Sequence, residues 1–141
     1  MTPELLESIK VGEGFRAKPY YDTLGNLTIG YGTLVANLVV SKELATEWIK
    51  GEVAKVEAEL SKDKRFQAIT NPARRDVLVE MAYNIGVSGL MKFTETWKAI
   101  EAKDWDKAAN QMLTSKWAKQ VKGRAIRLAQ QMRDGEYKIK P

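Results

Sequence analysis

Two carboxylates and a hydroxyl, Glu13, Asp22 and Thr28, have eight residues between the first pair and five between the second, in a stretch rich in glycines and aromatics, Glu13 to Thr33. Such a set suits hydrolysis of a glycosidic bond. One carboxyl group is held protonated and donates to the leaving oxygen. The other stays ionised and directs water or stabilises the oxocarbenium-like centre. A hydroxyl beside the second carboxylate helps to hold the attacking water. The chain has no Cys and no His. Thiolate nucleophiles, His-based triads, disulfides and Cys-based metal sites are therefore excluded. No Asp/Asn-rich loop of the kind that gathers an all-oxygen cation site is present, and no cofactor or metal is expected.

The elements that must position these groups are legible nearby. Tyr20-Tyr21 and Leu27-Thr28-Ile29 are aromatic or β-branched and favour strands. Between them Asp22-Thr23-Leu24-Gly25-Asn26 carries turn chemistry, because Gly25 and Asn26 tolerate positive φ and Asp22 can bond the backbone ahead of it. Glu13 closes a helical pattern, between Gly12 and Gly14. Asp22 and Thr28 then sit near opposite ends of a turn, with Glu13 free to face them across a cleft. A capped helix and an ordinary hairpin would use the same residues, with Asp22 as a turn cap and Thr28 as a strand threonine.

The stretch resembles the phage-type lysozymes (muramidases). Glu13-Gly14, Arg16, Tyr20, Asp22, Gly25, Thr28-Ile29-Gly30 and Gly32 are in register with that family's signature. A second block agrees: Arg74-Arg75, Leu78, Met81, Tyr83-Asn84, Gly86, Gly89-Leu90 and Phe93. A third runs through Trp105-Asp106, Ala108-Ala109, Ser115-Lys116-Trp117 and Gly123-Arg124-Ala125. The resemblance covers nearly the whole chain. One position departs from it: relatives usually have His after the last glycine of the first block, and here it is Thr33.

The resemblance implies an α+β, mostly α fold. A small N-terminal lobe with a short antiparallel sheet, about residues 1–40, is joined by a long helix, 41–61, to a larger helical lobe, 62–141, in one catalytic domain. It implies Glu13 as general acid, Asp22 as second carboxylate and Thr28 as the water-positioning group, with inversion at the anomeric carbon. By register it proposes Leu34, Tyr83, Asn84, Thr96 and Gln111 as sugar contacts, and Arg124 as the arginine paired with the acid. An aromatic followed by an amide at a helix end, Tyr83-Asn84, suits an N-acetyl sugar; relatives often have Phe-Gln there. The ordinary reading of Arg124 is a surface arginine on a cationic helix. Phe15, Ile29 or Tyr31 could give Glu13 the partly apolar surroundings that a general acid needs.

At 141 residues the chain is long enough for one core of its own. Its 44% hydrophobic and 29% charged residues are ordinary for a globular protein. The net charge is +5, which suits an anionic polymer such as a bacterial wall. The 23 basic residues are dispersed among 18 acids rather than gathered into a stripe, so no nucleic-acid partner is expected. No secretory signal and no membrane span is apparent. The protein is expected in the host bacterial cytoplasm, as a monomer, acting on peptidoglycan glycan strands after release. A separate membrane-permeabilising partner, a holin, would free it. Both a lysis enzyme and a wall-penetrating virion enzyme fit this description. So does a non-enzymatic, cationic wall- or membrane-active protein that works through its basic C-terminal helix, although the Glu-Asp-Thr set favours the enzyme.

Further helices follow from caps and periodicity. Thr2-Pro3 starts the first, whose apolar face is Leu5, Leu6 and Ile9. Leu34 to Val40 reads as an apolar floor for the small lobe. Ser41 caps a long helix from Lys42 to Leu60. After it, Ser61 to Arg65 reads as a charged loop. Asn71-Pro72 starts a strongly apolar helix closed by Gly86, the expected centre of the larger lobe. Phe93 to Lys103, Trp105 to Leu113 and Gly123 to Arg133 read as helices. Trp97, Trp105 and Trp117 are expected in the core, and Lys138 to Pro141 is expected to fray.

Overall fold

Thr2 and Pro3 do start the first helix. In a computed structural model, which describes residues 1–139, α1 spans Pro3–Glu13 and Thr2 Oγ1 accepts the Leu5 N–H at 3.1 Å. Gly14 ends it at φ 73°. The sheet follows at once. β1 (Arg16–Tyr21), β2 (Leu27–Gly30) and β3 (Thr33–Leu34) are antiparallel in the order β1-β2-β3. Tyr20 pairs with Thr28 and Tyr21 with Leu27, and a shift in register lies between Arg16 and Tyr20. Thr28 pairs with Leu34 on the other side. A 3₁₀ turn, Val35–Asn37, leads to Ser41, whose Oγ caps α2 (Lys42–Leu60) by accepting from Leu44 N at 3.1 Å.

The chain forms two compact units, Met1–Ala45 and Thr46–Pro141, which divide within α2. In the first, Thr28 is the one buried residue among those described. The apolar floor expected from Leu34 to Val40 is not buried: Val39 is 90% exposed, and Leu38 and Val40 are exposed too. A two-residue strand and a three-residue turn supply no second layer to cover these side chains. The apolar face of α1 is likewise open, with Leu5 52% exposed.

The second unit holds the core. Asp63 caps the short α3 (Lys64–Gln67), accepting from Arg65 N at 2.8 Å, so the expected charged loop ends in a helix start. Asn71 caps α4 (Pro72–Ile85) through Arg74 N at 2.9 Å. Val77, Leu78, Met81 and Ala82 of α4 are all at most 1% exposed, which makes α4 the centre of the core. Around it lie α5 (Val87–Met91), α6 (Thr94–Glu101), α7 (Trp105–Leu113), α8 (Lys116–Val121) and α9 (Gly123–Asp134). The helices α3, α5 and α8 were not expected, because four to six residues are too few to show a period. α6 stops at Glu101, before the expected Lys103, because Lys103 turns to φ 55° and Asp104 N reaches back to Ala99 O at 2.9 Å. Trp97 and Trp117 are buried as expected, while Trp105 is half-buried and covered by the Arg74 guanidinium 4.4 Å above its ring. Lys140 and Pro141, part of the expected fraying, lie outside the described residues. Lys138 is tied down: its N–H donates to Gln131 Oε1 at 3.0 Å and its carbonyl accepts from Arg127 at 2.8 Å.

Candidate active site

The first unit holds Glu13, Asp22, Thr28 and Leu34. Asp22 opens the β1–β2 turn as the residue types predict. Its Oδ1 accepts two main-chain N–H groups, from Leu24 at 2.9 Å and Asn26 at 2.8 Å. Gly25, at φ 82°, lets the chain fold back so that Asp22 N reaches Asn26 O at 2.9 Å. One carboxylate oxygen is thus committed to the turn, and Oδ2 has no hydrogen-bond partner among the described residues. Turn cap and reactive carboxylate are compatible roles for one side chain.

Thr28 is 2% exposed and donates its hydroxyl proton to Asn26 O at 2.9 Å. A hydroxyl that has spent its hydrogen this way can offer only lone pairs to a third group. Leu34, half-buried, is the register partner of Thr28.

Glu13 is the last residue of α1 and is exposed. Its carboxylate lies against the β2–β3 turn: a Cβ on Gly32 would stand 2.7 Å from Glu13 Oε2. Gly32 is also at φ 81°. Glycine there satisfies two demands at once, a left-handed turn and room for the carboxylate. Phe15 and Tyr31 pack with ring centroids 5.4 Å apart, and Lys10 Nζ stands 5.7 Å from the Tyr31 ring. These are two of the side chains expected to surround the acid.

The second unit holds the remaining predicted residues. Tyr83 and Asn84 end α4, both exposed, and Asn84 Oδ1 accepts the Trp117 indole N–H at 2.8 Å. Thr96 and Gln111 come together as lining of one cavity of about 250 Å³, with Phe93, Thr94, Thr114 and Ser115. Tyr83 lines a different cavity of about 470 Å³ with Glu80, Val79 and Arg124. Arg124, expected as the partner of the acid, makes an ion pair with Glu80, Nε to Oε2 at 2.8 Å. Arg127 donates to the same oxygen at 3.0 Å. One carboxylate therefore holds two guanidiniums.

Reading along the sequence missed Glu80, the close fit of the Glu13 carboxylate against Gly32 and the contact of Trp117 with Asn84. Glu80 lies 44 residues from Arg124 in the chain, so no local spacing announces the pair.

A family model for phage lysozyme matches residues 10–136, and the chain belongs to that family. It is 31% identical over 153 residues to the pre-baseplate central spike protein Gp5 of Enterobacteria phage T4, covering 88% of this chain and 26% of that protein. It is 29% identical over 168 residues to a probable T4-type lysozyme 2 of Dictyostelium discoideum, covering 98% of each. It is also 32% identical over 117 residues to an endolysin of Bacillus phage B103, covering 79% of this chain and 43% of the endolysin. The chain thus spans only about a quarter of the spike protein but nearly all of the Dictyostelium lysozyme. No helix among the described residues is long and apolar enough to cross a membrane.

Proposed function

We propose that the protein is a muramidase that hydrolyses the β-1,4 bond between N-acetylmuramic acid and N-acetylglucosamine in bacterial peptidoglycan. The observation that carries this reading is the division of labour at the hairpin, in a chain of the phage lysozyme family. Asp22 Oδ1 is fixed by two main-chain N–H groups while Oδ2 stays open, and the buried Thr28 hydroxyl has only lone pairs left to give.

Glu13 donates its proton to the leaving glycosidic oxygen. A water molecule gives one hydrogen bond to Asp22 Oδ2 and another to Thr28 Oγ1, which aims its own lone pair at the anomeric carbon. As the bond to that carbon forms, Asp22 takes the water proton. Attack from the face opposite the leaving group inverts the centre and needs carboxyl groups about 6.5–9.5 Å apart. Leu34, Tyr83, Asn84, Thr96 and Gln111 bind the glycan. Arg124 is the cation assigned to the acid, its guanidinium oriented by Glu80. A lysis role with a separate holin, starting from the host cytoplasm, completes the reading.

The membrane-active alternative needs an available apolar face on the basic helix α9. That face, Ala125, Leu128, Ala129 and Met132, is at most 1% exposed in the core.

The test is digestion of purified peptidoglycan followed by borohydride reduction of the new ends. Reduced N-acetylmuramic acid is the expected product. Reduced N-acetylglucosamine alone, or no new ends, overturns the proposal.

A further inference from the structure

Four of the five methionines have an extreme setting. Met81, Met112 and Met132 are 0% exposed in the core, and Met1 is 96% exposed at the start of the chain. Met91 is the fifth. It ends α5, half-buried against the core, and its sulfur accepts a hydrogen bond from Arg65 Nη2 at 3.2 Å. A thioether is a weak acceptor, so a guanidinium aimed at it is under-used. That guanidinium is fixed by its other neighbours. Nε donates to Asp63 Oδ1 at 3.0 Å, and Nη2 donates to Asp63 Oδ2 at 2.7 Å. Its carbon stands 4.3 Å over the centroid of the Trp97 ring. Trp97 is 1% exposed, and its indole N–H donates to the carbonyl of Leu90, the residue before Met91, at 3.1 Å. Nη2 carries two hydrogens, one for the carboxylate and one for the sulfur. A charged donor is therefore in place beside the sulfur before any stronger acceptor forms there.

We propose that Met91 is an oxidation site whose sulfoxide this fold accommodates, the oxidant being a hydroperoxide and Arg65 the group that receives the new oxygen. A lone pair of Met91 Sδ attacks the outer oxygen of the peroxide. The S–O bond forms as the O–O bond breaks, and sulfur gives up the two electrons that the peroxide gains. The proton of the transferred oxygen passes to the departing oxygen, which leaves as water when the oxidant is hydrogen peroxide. The product is polar, and the flexible Met91 side chain can shift to set its oxygen on Nη2. The core methionines have no such donor among the described residues. The same oxygen on Met81, Met112 or Met132 would be buried among apolar side chains without a partner.

The test exposes the whole chain to hydrogen peroxide, maps methionine sulfoxide by peptide mass and measures melting temperature on the same samples. Met91 should be converted while Met81, Met112 and Met132 remain thioethers, and melting temperature should hold within about 2 °C. Met91→Leu treated in parallel accounts for Met1, which reacts in both proteins. Arg65→Leu removes the donor and gives the contrast. Oxidation of Met91 in that variant should lower its melting temperature by about 4 °C, because a half-buried sulfoxide has lost its partner. If Arg65→Leu folds poorly, Met91→Gln decides: its amide oxygen stands for the sulfoxide, and it should melt no lower than Met91→Leu. Four results overturn the proposal. They are Met91 left as a thioether, core methionines oxidised in step with it, an oxidised wild type that melts more than about 2 °C lower, and an Arg65→Leu protein that oxidation leaves unchanged. Met91→Gln melting below Met91→Leu overturns it as well.

Discussion

The two units of this chain are held together by different means. The second surrounds α4 with buried side chains, and Leu78, Met81, Leu90, Met112 and Leu128 are all 0% exposed. The first buries Thr28 alone among its described residues. Its helix, turn and strands are held by backbone pairing, the Thr2 and Ser41 caps and the two N–H bonds to Asp22. The proposed reacting groups all lie in the unit with the small core, while the helix-borne residues proposed to bind the glycan lie in the unit with the large one. The difference teaches that the helix end, turn and strand carrying the proposed reacting groups are ordered by local hydrogen bonds, each worth about 1 kcal/mol, with Thr28 as the one buried side chain of that unit among the described residues.

The largest expected effect separates activity from stability. Glu13→Gln should lower turnover about 10²–10⁴-fold, the usual contribution of a general acid. Its melting temperature should be unchanged, because Glu13 is exposed at a helix end. Near-normal turnover by a folded Glu13→Gln protein would sink the assignment. The reverse separation belongs to the second unit. Leu78→Ala should cost about 2–5 kcal/mol in denaturant unfolding. Leu5→Ala on the open face of α1 should cost no more than about 0.5 kcal/mol. Similar losses for the two would contradict the contrast between the units.

Gly32→Ala tests whether the small unit positions its acid by close fit. The new methyl group would meet Glu13 Oε2 at 2.7 Å, on backbone at φ 81°. The flexible end of Glu13 can move aside, so stability should fall by only about 1 kcal/mol, the usual penalty for a side chain in the left-handed region. Activity should fall about 10–100-fold, because catalysis is far more sensitive than folding to a displacement of about 1 Å. Equal activity would show that the contact does not matter for the reaction.

The smallest effect is on pH dependence. Arg65 donates to Asp63 through Nη2 at 2.7 Å and holds that carboxyl below its ordinary value of 3.8. A depressed carboxylate stabilises the fold above its unfolded pKa, and the contribution is lost as pH falls through the folded one. The acid loss from this pair therefore lies below about pH 4. Tyr137, bonded to Asp76, is moved upward from 10.0, also away from neutrality. With Thr33 in place of the usual His and no other His in the chain, melting temperature should be level from about pH 6 to 8. Asp63→Asn keeps the N-cap and removes the charge, so it should shallow the acid limb by no more than about 1 kcal/mol. A steep change in melting temperature between pH 6 and 8 would contradict this.

What the sequence determined by itself is what depends on near neighbours. Thr2-Pro3, Ser41 and Asn71-Pro72 marked helix starts, because a cap bonds an N–H three residues on. Asp22 to Asn26 declared its turn and the strands on either side of it, and the period of α4 named its buried face, each through contacts within a few residues. The helix end, turn and strand that carry Glu13, Asp22 and Thr28 were legible for the same reason, since they are consecutive. Tertiary structure alone decided the rest. Glu80 as the shared partner of Arg124 and Arg127, and Trp117 as the partner of Asn84, join residues 33 to 47 positions apart. Which carboxylate meets which guanidinium over such distances depends on how helices pack, and side-chain type does not encode it. Burial was misjudged where packing alone decides it: Leu38, Val39 and Val40 are as apolar as the core, but the small unit has no layer to lay over them.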